Sequence, residues 1–383
     1  MTAPLVPLLV GGEPRDSESG DVHVVPNPAT GEPIARLPWS TVAEVDAAVA
    51  AARAAATDWA ETPVPDRAEV MFRLKALLEA HFDELAALIV RENGKTTTEA
   101  RGELRRGIEV VDFACAAPTL LLGTRLDQVA AGIDEELVRF PVGVVAGITP
   151  FNFPAMVPLW MIPLALVCGN AFVLKPSERT PLCAVRIGEL LAEAGVPGGV
   201  FNVVHGGRDV VERLLTHPAV DAISFVGSAG VARAVYTGGA AAGKRVQALG
   251  GAKNHLVVMD DADLDPSLDA LMPSAFGNAG QRCLAGSVVV GVGRAADPVV
   301  DGLAARAGKL RLGAGDDPAT DMGPVIREAR RKELLDAIDA GAQAGAKLVA
   351  DGRGRGPAEG YFLGPTIFDH VTPHMDLWRT ELF

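Results

Sequence analysis

Apolar residues recur at helical spacing through the first third of the chain. This periodicity predicts helices over residues 41–60 and 67–93, with Ser40 or Thr41 placed to cap the first of them. Gly94 follows the second helix and is expected to end it. The amino-terminal third is therefore predicted to be mainly helical.

Residues 125–140 carry a different pattern. They form two short extended runs on either side of Gly132, a residue type that favours tight turns. The expected structure is a β-hairpin.

Short apolar runs alternate with helical stretches between Gly143 and Gly250. The runs GVVAGIT, AFVLK, FNVV, AISFV and RVQAL are typical of buried strands, and helices are predicted over residues 156–167, 182–194, 208–215 and 231–241. Strands that alternate with helices in this way form a parallel sheet covered on both faces. We therefore predict an α/β fold with a doubly wound, Rossmann-type sheet, whose usual ligand is a dinucleotide.

A second series of elements follows Gly250 and Gly251. The strand-like runs HLVVM and SVVVGVG are interleaved with predicted helices over residues 267–279, 296–309 and 326–342. This series is interpreted as a separate α/β domain.

Composition and charge exclude several classes of function. The chain has 383 residues, of which 49% are hydrophobic, so it can bury a large core in more than one domain. The formal net charge of -13 is not offset by any basic block, and nucleic acid is therefore not expected as a partner. Four cysteines without paired spacing, and an amino terminus without the pattern of a secretory signal, indicate a reducing cytoplasm.

The longest uncharged stretch runs from Phe140 to Leu174. Its length would allow a membrane span, but five prolines interrupt it, and lipid would leave the amides of Asn152 and Asn170 unsatisfied. No membrane contact is expected. The seven histidines are dispersed along the chain, so no metal site is expected either.

Six short motifs occur along the chain in a fixed order. They are NPATGE from Asn27, PFNFP from Pro150, LKPSE from Leu174, FVGS from Phe225, GQRC from Gly280 and ELF from Glu381. Over essentially its whole length the chain resembles the aldehyde dehydrogenase superfamily, in which these motifs follow one another in this order. Within that superfamily it most resembles the CoA-acylating methylmalonate-semialdehyde dehydrogenases.

The resemblance implies a division of the chain into functional parts. Residues 1–122 and 141–250 would form an NAD-binding domain, residues 123–140 an oligomerisation hairpin, and residues 251–383 the catalytic domain. A homo-oligomer, either a dimer or a tetramer, is implied as well. Family members continue beyond the position of Phe383, so the expectation is that this chain is truncated at its carboxyl terminus and has an incomplete catalytic domain.

The resemblance assigns the chemistry to Cys283. A lone cysteine is most often a small packed residue, but GQRC lies at the family's nucleophile position, just after a helix end rich in small residues. Asn152, alone, would be interpreted as a turn residue bonded to its own backbone. By resemblance its amide, together with the N–H of Cys283, would stabilise the oxyanion of a thiohemiacetal.

The resemblance also implies a set of NAD contacts. Lys175 and Glu178 follow a predicted strand at the edge where parallel sheets bind ligands, although such a pair is otherwise a solvated surface feature. They would contact the adenosine ribose, where a carboxylate repels the 2′-phosphate of NADP and favours NAD. Gly227 and Ser228 start a helix and would hold the pyrophosphate. The implied contacts are Phe151, Lys175, Glu178, Gly227, Ser228 and Glu381.

Ala248 separates two branches of the superfamily. Hydrolytic members carry a glutamate at this place in the segment ALGGAKNH, and that glutamate activates water. Alanine cannot accept a proton, which matches the branch that transfers its acyl group to CoA. The substrate implied by the resemblance is malonate or methylmalonate semialdehyde, which would lose its carboxylate as carbon dioxide or bicarbonate before acyl transfer and give acetyl-CoA or propionyl-CoA. Its carboxylate would be bound by Arg282 and Arg106, although Arg106 could also be a surface helix charge.

Two further interpretations remain open at this stage. The first is a hydrolytic aldehyde dehydrogenase that oxidises another aldehyde with a different base. The second is a catalytically inactive fragment that binds only a nucleotide or a partner subunit.

Overall fold

The computed structural model describes residues 3–383. Within that range the strands are Leu8–Val10 (β1), Glu13–Arg15 (β2), Val22–Pro26 (β3), Pro33–Pro38 (β4), Thr124–Ala130 (β5), Ile133–Leu137 (β6), Val144–Ile148 (β7), Ala171–Lys175 (β8), Phe201–Val203 (β9), Ala222–Gly227 (β10), Arg245–Gly250 (β11), His255–Val258 (β12), Val288–Gly291 (β13), Lys347–Ala350 (β14) and Ile367–Asp369 (β15). The α-helices are Val42–Glu61 (α1), Val64–Ala80 (α2), Phe82–Asn93 (α3), Thr97–Cys115 (α4), Ala117–Leu120 (α5), Met156–Val167 (α6), Leu182–Glu193 (α7), Arg208–Thr216 (α8), Ala229–Ala241 (α9), Leu264–Phe276 (α10), Ala296–Ala307 (α11), Glu328–Gln343 (α12) and Asp376–Arg379 (α13). Short 3₁₀ turns cover Gly277–Gly280 and Gly293–Ala295.

The chain divides into two compact units. Unit 1 contains residues up to Val25 together with Ala35–Leu85 and Gly102–Gly250. Unit 2 contains Pro26–Ile34, Ala86–Arg101 and Gly251–Phe383. Two short stretches from the first hundred residues are therefore part of unit 2.

A seven-stranded sheet forms the centre of unit 1. Its order is β11-β10-β7-β8-β9-β1-β2, with parallel pairing from β11 to β9. The strands β1 and β2 extend it by antiparallel pairing at one edge. One face of this sheet packs against buried residues of α1, α8 and α9, including Val45, Leu214 and Val235. The prediction of a doubly wound parallel sheet is confirmed, and the antiparallel edge is an addition to it.

Local signals explain where several elements begin and turn. Thr41 caps α1, because its hydroxyl accepts from the N–H of Glu44 at 3.2 Å while the Glu44 carboxylate accepts from the N–H of Thr41 at 2.7 Å. The strands β5 and β6 form the expected hairpin, with Gly132 at φ +77° in the turn.

Two helix predictions were wrong in their extent. The single helix expected over residues 67–93 is two helices, α2 and α3, separated at His81, whose φ of -99° and ψ of 18° are not helical. The helix expected over residues 267–279 ends at Phe276, because Asn278 and Ala279 adopt φ angles of 51° and 53°. Residues with positive φ cannot continue a right-handed helix.

Unit 2 is built around smaller sheets. The strands β12 and β13 pair in parallel and pack against α10 and α11 through Leu256, Leu268 and Leu303. The strands β14 and β15 form a separate antiparallel pair. Over residues 3–383, none of the helices combines the length and the apolar character required to span a membrane.

Candidate active site

The carboxyl ends of the parallel strands in unit 1 carry the residues expected to bind a dinucleotide. The chain passes from β7 outward to β8 and β9, then returns to the other side of β7 with β10 and β11, so the strand order reverses between β7 and β10. Open parallel sheets bind ligands at such a reversal. Phe151 and Asn152 follow β7, and Lys175 ends β8. Gly227 ends β10, and Ser228 directly precedes α9.

The loop after β7 is fixed from two directions. The carboxylate of Glu103 accepts from the N–H groups of Ala155 and Met156 at 2.9 and 3.2 Å, and so caps the first turn of α6. The guanidinium of Arg179 lies 4.9 Å from the centre of the Phe151 ring. Asn152, between these anchors, is 3% exposed. The segment that carries this buried residue is thus fixed on both sides, and a role as hydrogen-bond donor requires such preorganisation.

Lys175 and Glu178 form a partly buried ion pair, with the Lys175 Nζ 3.6 Å from the Glu178 Oε2. Burial lowers the pKa of Lys175, and the nearby Glu178 carboxylate opposes that shift. Burial alone would raise the pKa of Glu178, but the positive charge of Lys175 and hydrogen bonds hold it below its usual value. The Lys175 side chain is only 7% exposed, so the pair is not the solvated surface feature that the sequence left open.

Ala248 and Arg106 are the remaining residues of unit 1 for which the sequence predicted a role. Ala248 is a half-buried residue of β11, paired in register with Phe225 of β10. Arg106 is on α4 with its side chain 71% exposed, and its guanidinium pairs with Glu109 of the same helix at 2.5 Å. Arg106 is therefore an exposed charge of a surface helix in this structure.

The loop that carries Cys283 in unit 2 begins with a left-handed turn. Asn278, Ala279 and Gly280 all have positive φ, which reverses the chain directly after α10. The carboxylate of Glu99 accepts from the N–H of Asn278 at 2.6 Å. Because non-glycine residues pay an energetic cost in this region, the turn must be held by its surroundings.

Gln281 anchors the same loop in the interior. It is 2% exposed, its Oε1 accepts from the N–H of Ile326 at 3.0 Å, and its Nε2 donates to the carbonyl of Asn278 at 3.2 Å. The neighbouring Arg282 is half-buried and donates to the carbonyl of Pro273 at 2.9 Å. Gln281 is therefore the buried anchor of the segment that leads to Cys283.

The thiol of Cys283 is half-buried and reduced. Burial raises its pKa, and the hydrogen bonds from the N–H groups of Cys283 and Leu284, together with the charge of Arg282, oppose that increase. The negative charge of Glu381 contributes to the increase. Ionisation of this thiol therefore depends on the backbone donors around the sulfur.

Cys283 borders a cavity of about 620 Å³ within unit 2. Its wall includes Glu381. Burial raises the pKa of Glu381, and a hydrogen bond from Ala252 and the charges of Lys253 and Arg330 oppose that rise. The segment that carries Glu381 is tied down, since Lys253 Nζ donates to the carbonyl of Thr380 at 2.7 Å. Unit 2 thus brings together Cys283, Arg282 and Glu381 around one cavity.

The residues that hold these loops were not predicted from the sequence. Glu103, Glu99, Gln281 and Asn254 each place a functional loop through hydrogen bonds to backbone groups far away along the chain. The only local signal was the position of Gln281 within GQRC and of Asn254 within ALGGAKNH.

Comparisons with known proteins give the chain its family. The profile of the aldehyde dehydrogenase family matches residues 15–383. A malonate-semialdehyde dehydrogenase of Geobacillus thermodenitrificans is 54% identical over 376 residues, which cover 98% of this chain and 78% of that protein. A malonate-semialdehyde dehydrogenase of Halalkalibacterium halodurans is 52% identical with the same coverage.

Solved structures agree with the sequence relatives. The crystal structure of a methylmalonate-semialdehyde dehydrogenase from Oceanimonas doudoroffii superposes with a TM-score of 0.96 at 47% identity, covering 100% of this chain and 78% of that one. The structure of a putative methylmalonate-semialdehyde dehydrogenase from Sinorhizobium meliloti in complex with NAD gives a TM-score of 0.97 at 44% identity, with the same coverage. The chain therefore belongs to the aldehyde dehydrogenase family.

Proposed function

We propose that this protein oxidises malonate or methylmalonate semialdehyde with NAD and transfers the acyl group from Cys283 to CoA. The observation that carries the proposal is a cysteine held on a buried, hydrogen-bonded loop, combined with alanine at position 248, where a general base would be needed for hydrolysis. The names of the relatives point to the same substrates.

The side chains of unit 1 fit NAD. Lys175 and Glu178 offer a donor and an acceptor at the carboxyl edge of the sheet, and Gly227 and Ser228 precede the first turn of α9, where N–H groups favour an anion. Phe151 after β7 and Glu381 in unit 2 complete the proposed contacts. NAD, when bound, supplies the hydride acceptor.

The chain's own residues perform the remaining steps. The thiolate of Cys283 attacks the aldehyde carbon, and the new oxyanion accepts hydrogen bonds from the amide of Asn152 and the N–H of Cys283. Loss of hydride leaves a thioester on the sulfur. Arg282 and Arg106 are the proposed partners of the substrate carboxylate, which requires Arg106 to exchange its present pairing with Glu109.

Release of the acyl group distinguishes the acylating from the hydrolytic reaction. The thiol of CoA is itself a nucleophile, whereas water needs a base to take its proton. Alanine at position 248 cannot act as that base. The thioester should therefore persist until CoA arrives.

We further propose that residues 123–140 form an oligomerisation hairpin. Both strands of this hairpin are exposed along their whole length, including Leu126 at 58% and Ile133 at 55%. Apolar side chains exposed together on one element favour association, and a second copy of this chain is the proposed partner.

Pre-steady-state NADH absorbance tests the reaction. Mixing enzyme, NAD and malonate semialdehyde without CoA should give a burst equal to the enzyme concentration and then a near stall, and adding CoA should restore turnover. Fast continuous turnover without CoA would instead support the hydrolytic reaction. Cys283→Ala should abolish the burst and retain NAD binding, whereas Cys168→Ala, which removes another half-buried thiol, should retain both.

A further inference from the structure

The carbonyl oxygens of Cys283 and Ala285 share one donor. The Nδ2 of Asn254 lies 2.9 Å from each of these two oxygens. Because carbonyl oxygens only accept hydrogen bonds, the side of the amide that faces them must be its NH₂ group. Both hydrogens of that group are therefore used on the backbone of the nucleophile loop.

Asn254 is itself held by the parallel pair β12 and β13. It directly precedes β12, and its own carbonyl accepts from the N–H of Val288 at 3.1 Å, where β13 begins. The next residue, His255, pairs in register with Val288. The amide thus projects from a fixed point of a strand ladder onto the loop that precedes β13.

One peptide group connects Asn254 to the sulfur. The carbonyl of Cys283 and the N–H of Leu284 belong to the same planar peptide, in which the two bonds point in opposite directions. Asn254 holds the carbonyl end of that plane. At the N–H end, the hydrogen bond of Leu284 opposes the rise that burial causes in the pKa of the Cys283 thiol. Rotation of the plane would break both hydrogen bonds at once.

We propose that Asn254 is a positioning residue that stabilises the Cys283 thiolate by locking the Cys283–Leu284 peptide with its N–H toward the sulfur. Asn254 does not touch the reacting atoms in this role. The proposal rests on Cys283 being the nucleophile, and it deepens that assignment by naming what sets the ionisation of the thiol. Hydrogen bonds to charged sulfur stabilise the ionised form more than the neutral thiol.

The pH dependence of alkylation at Cys283 tests the proposal without substrate or cofactor. The whole chain is pulsed with iodoacetamide between pH 6 and 10, and modification is read from the tryptic peptide of residues 283–294, which contains no other cysteine. Asn254→Leu keeps a similar volume and removes both donors. We expect its midpoint to rise by about one pH unit, with about tenfold slower alkylation at neutral pH.

Two further variants make the test specific. Asn254→Ser retains one donor and should give an intermediate midpoint, which also covers the case in which the leucine variant does not fold. Asn27→Leu is the control, because it removes an asparagine elsewhere in unit 2. The Asn27 side chain accepts a hydrogen bond from the N–H of Ala29, and its loss should leave the midpoint unchanged. A purely structural role for Asn254 would lower stability without moving the midpoint.

The outcomes separate this inference from the proposed function. A midpoint for folded Asn254→Leu and Asn254→Ser within about 0.2 unit of the parent overturns the role of Asn254. A shifted midpoint in a protein that shows no NADH burst supports the positioning role and rejects the proposed reaction. Equal shifts in Asn254→Leu and Asn27→Leu would mean a general loosening of unit 2 and would also overturn the inference.

Discussion

Acidification should destabilise unit 1 through a single buried histidine. His205 follows β9 and is 1% exposed, and its Nε2 lies 2.9 Å from the carbonyl of Pro7. Because that carbonyl can only accept, Nε2 carries the proton of a neutral ring. Nδ1 is buried and has no hydrogen-bond partner among residues 3–383. Burial, reinforced by the charge of Lys175, lowers the pKa of His205 from 6.5 to about 4.

The sign and size of the effect follow from this shift. Between pH 6.5 and 4 the unfolded chain binds a proton at His205 that the folded protein does not bind, so stability falls as the pH decreases. The full shift corresponds to about 3 kcal/mol of unfolding free energy, and about 1.4 kcal/mol of it should be lost by pH 5.5. Below pH 4 this group adds no further loss.

Urea denaturation followed by tryptophan fluorescence measures the effect. His205→Gln keeps an N–H that can reach the carbonyl of Pro7 and removes the titrating group. At pH 7.5 the difference in unfolding free energy between the two proteins gives the effect of losing the imidazole ring alone. From pH 7.5 to 4.5 the parent should lose roughly 2 to 3 kcal/mol more than the variant. Parallel stability curves for the two proteins would refute the reasoning.

Three other predictions concern the cofactor, the nucleophile loop and association. Glu178→Gln removes the carboxylate expected to repel a 2′-phosphate, so the preference in kcat/KM for NAD over NADP should fall about tenfold, and an unchanged ratio would remove Glu178 from the ribose site. Gln281→Leu leaves the buried N–H of Ile326 unpaired and should lower the unfolding free energy by about 2 kcal/mol, whereas the exposed Gln343→Leu should change it little. Replacing both Leu126 and Ile133 with serine should lower the mass found by sedimentation equilibrium, and an unchanged mass would count against the hairpin interface.

Ala248 gives a gain-of-function counterpart to the burst experiment. Ala248→Glu introduces a carboxylate on β11 and should speed the CoA-free phase by about a hundredfold, because a positioned general base contributes at least that much. The matched variant Ala248→Gln has nearly the same size but cannot take a proton, so it should remain stalled. Equal rates for the two variants would show that the added side chain acts through packing.

Much of the fold could be predicted because its signals are local. The alternation of buried strands and helices from Gly143 to Gly250 indicated the parallel sheet, and Gly132 marked the hairpin turn. The edge strands β1 and β2 could not be predicted in this way. Leu9 pairs with Val203, a partner that no short window of sequence reveals.

The site was predictable only in part for the same reason. Motifs pointed to Cys283, Asn152, Lys175 and Glu178, but they did not indicate which contacts hold those residues in place. The missing information lies in hydrogen bonds that join distant segments. The carboxylate of Glu99, for example, meets the N–H of Asn278 across 179 positions of sequence. Periodicity and composition do not record such pairings.

The dependence of the nucleophile loop on Glu99, Gln281 and Asn254 has a consequence for the nascent chain. Glu99 is synthesised long before Cys283, and Ile326, which binds Gln281, long after it. Until these segments meet, the loop has neither its left-handed turn nor its aligned backbone donors, and Cys283 is an ordinary thiol. The surroundings that set the ionisation of the Cys283 thiol therefore form only with native structure, which makes the pH dependence of alkylation at Cys283 a reporter of correct folding in unit 2.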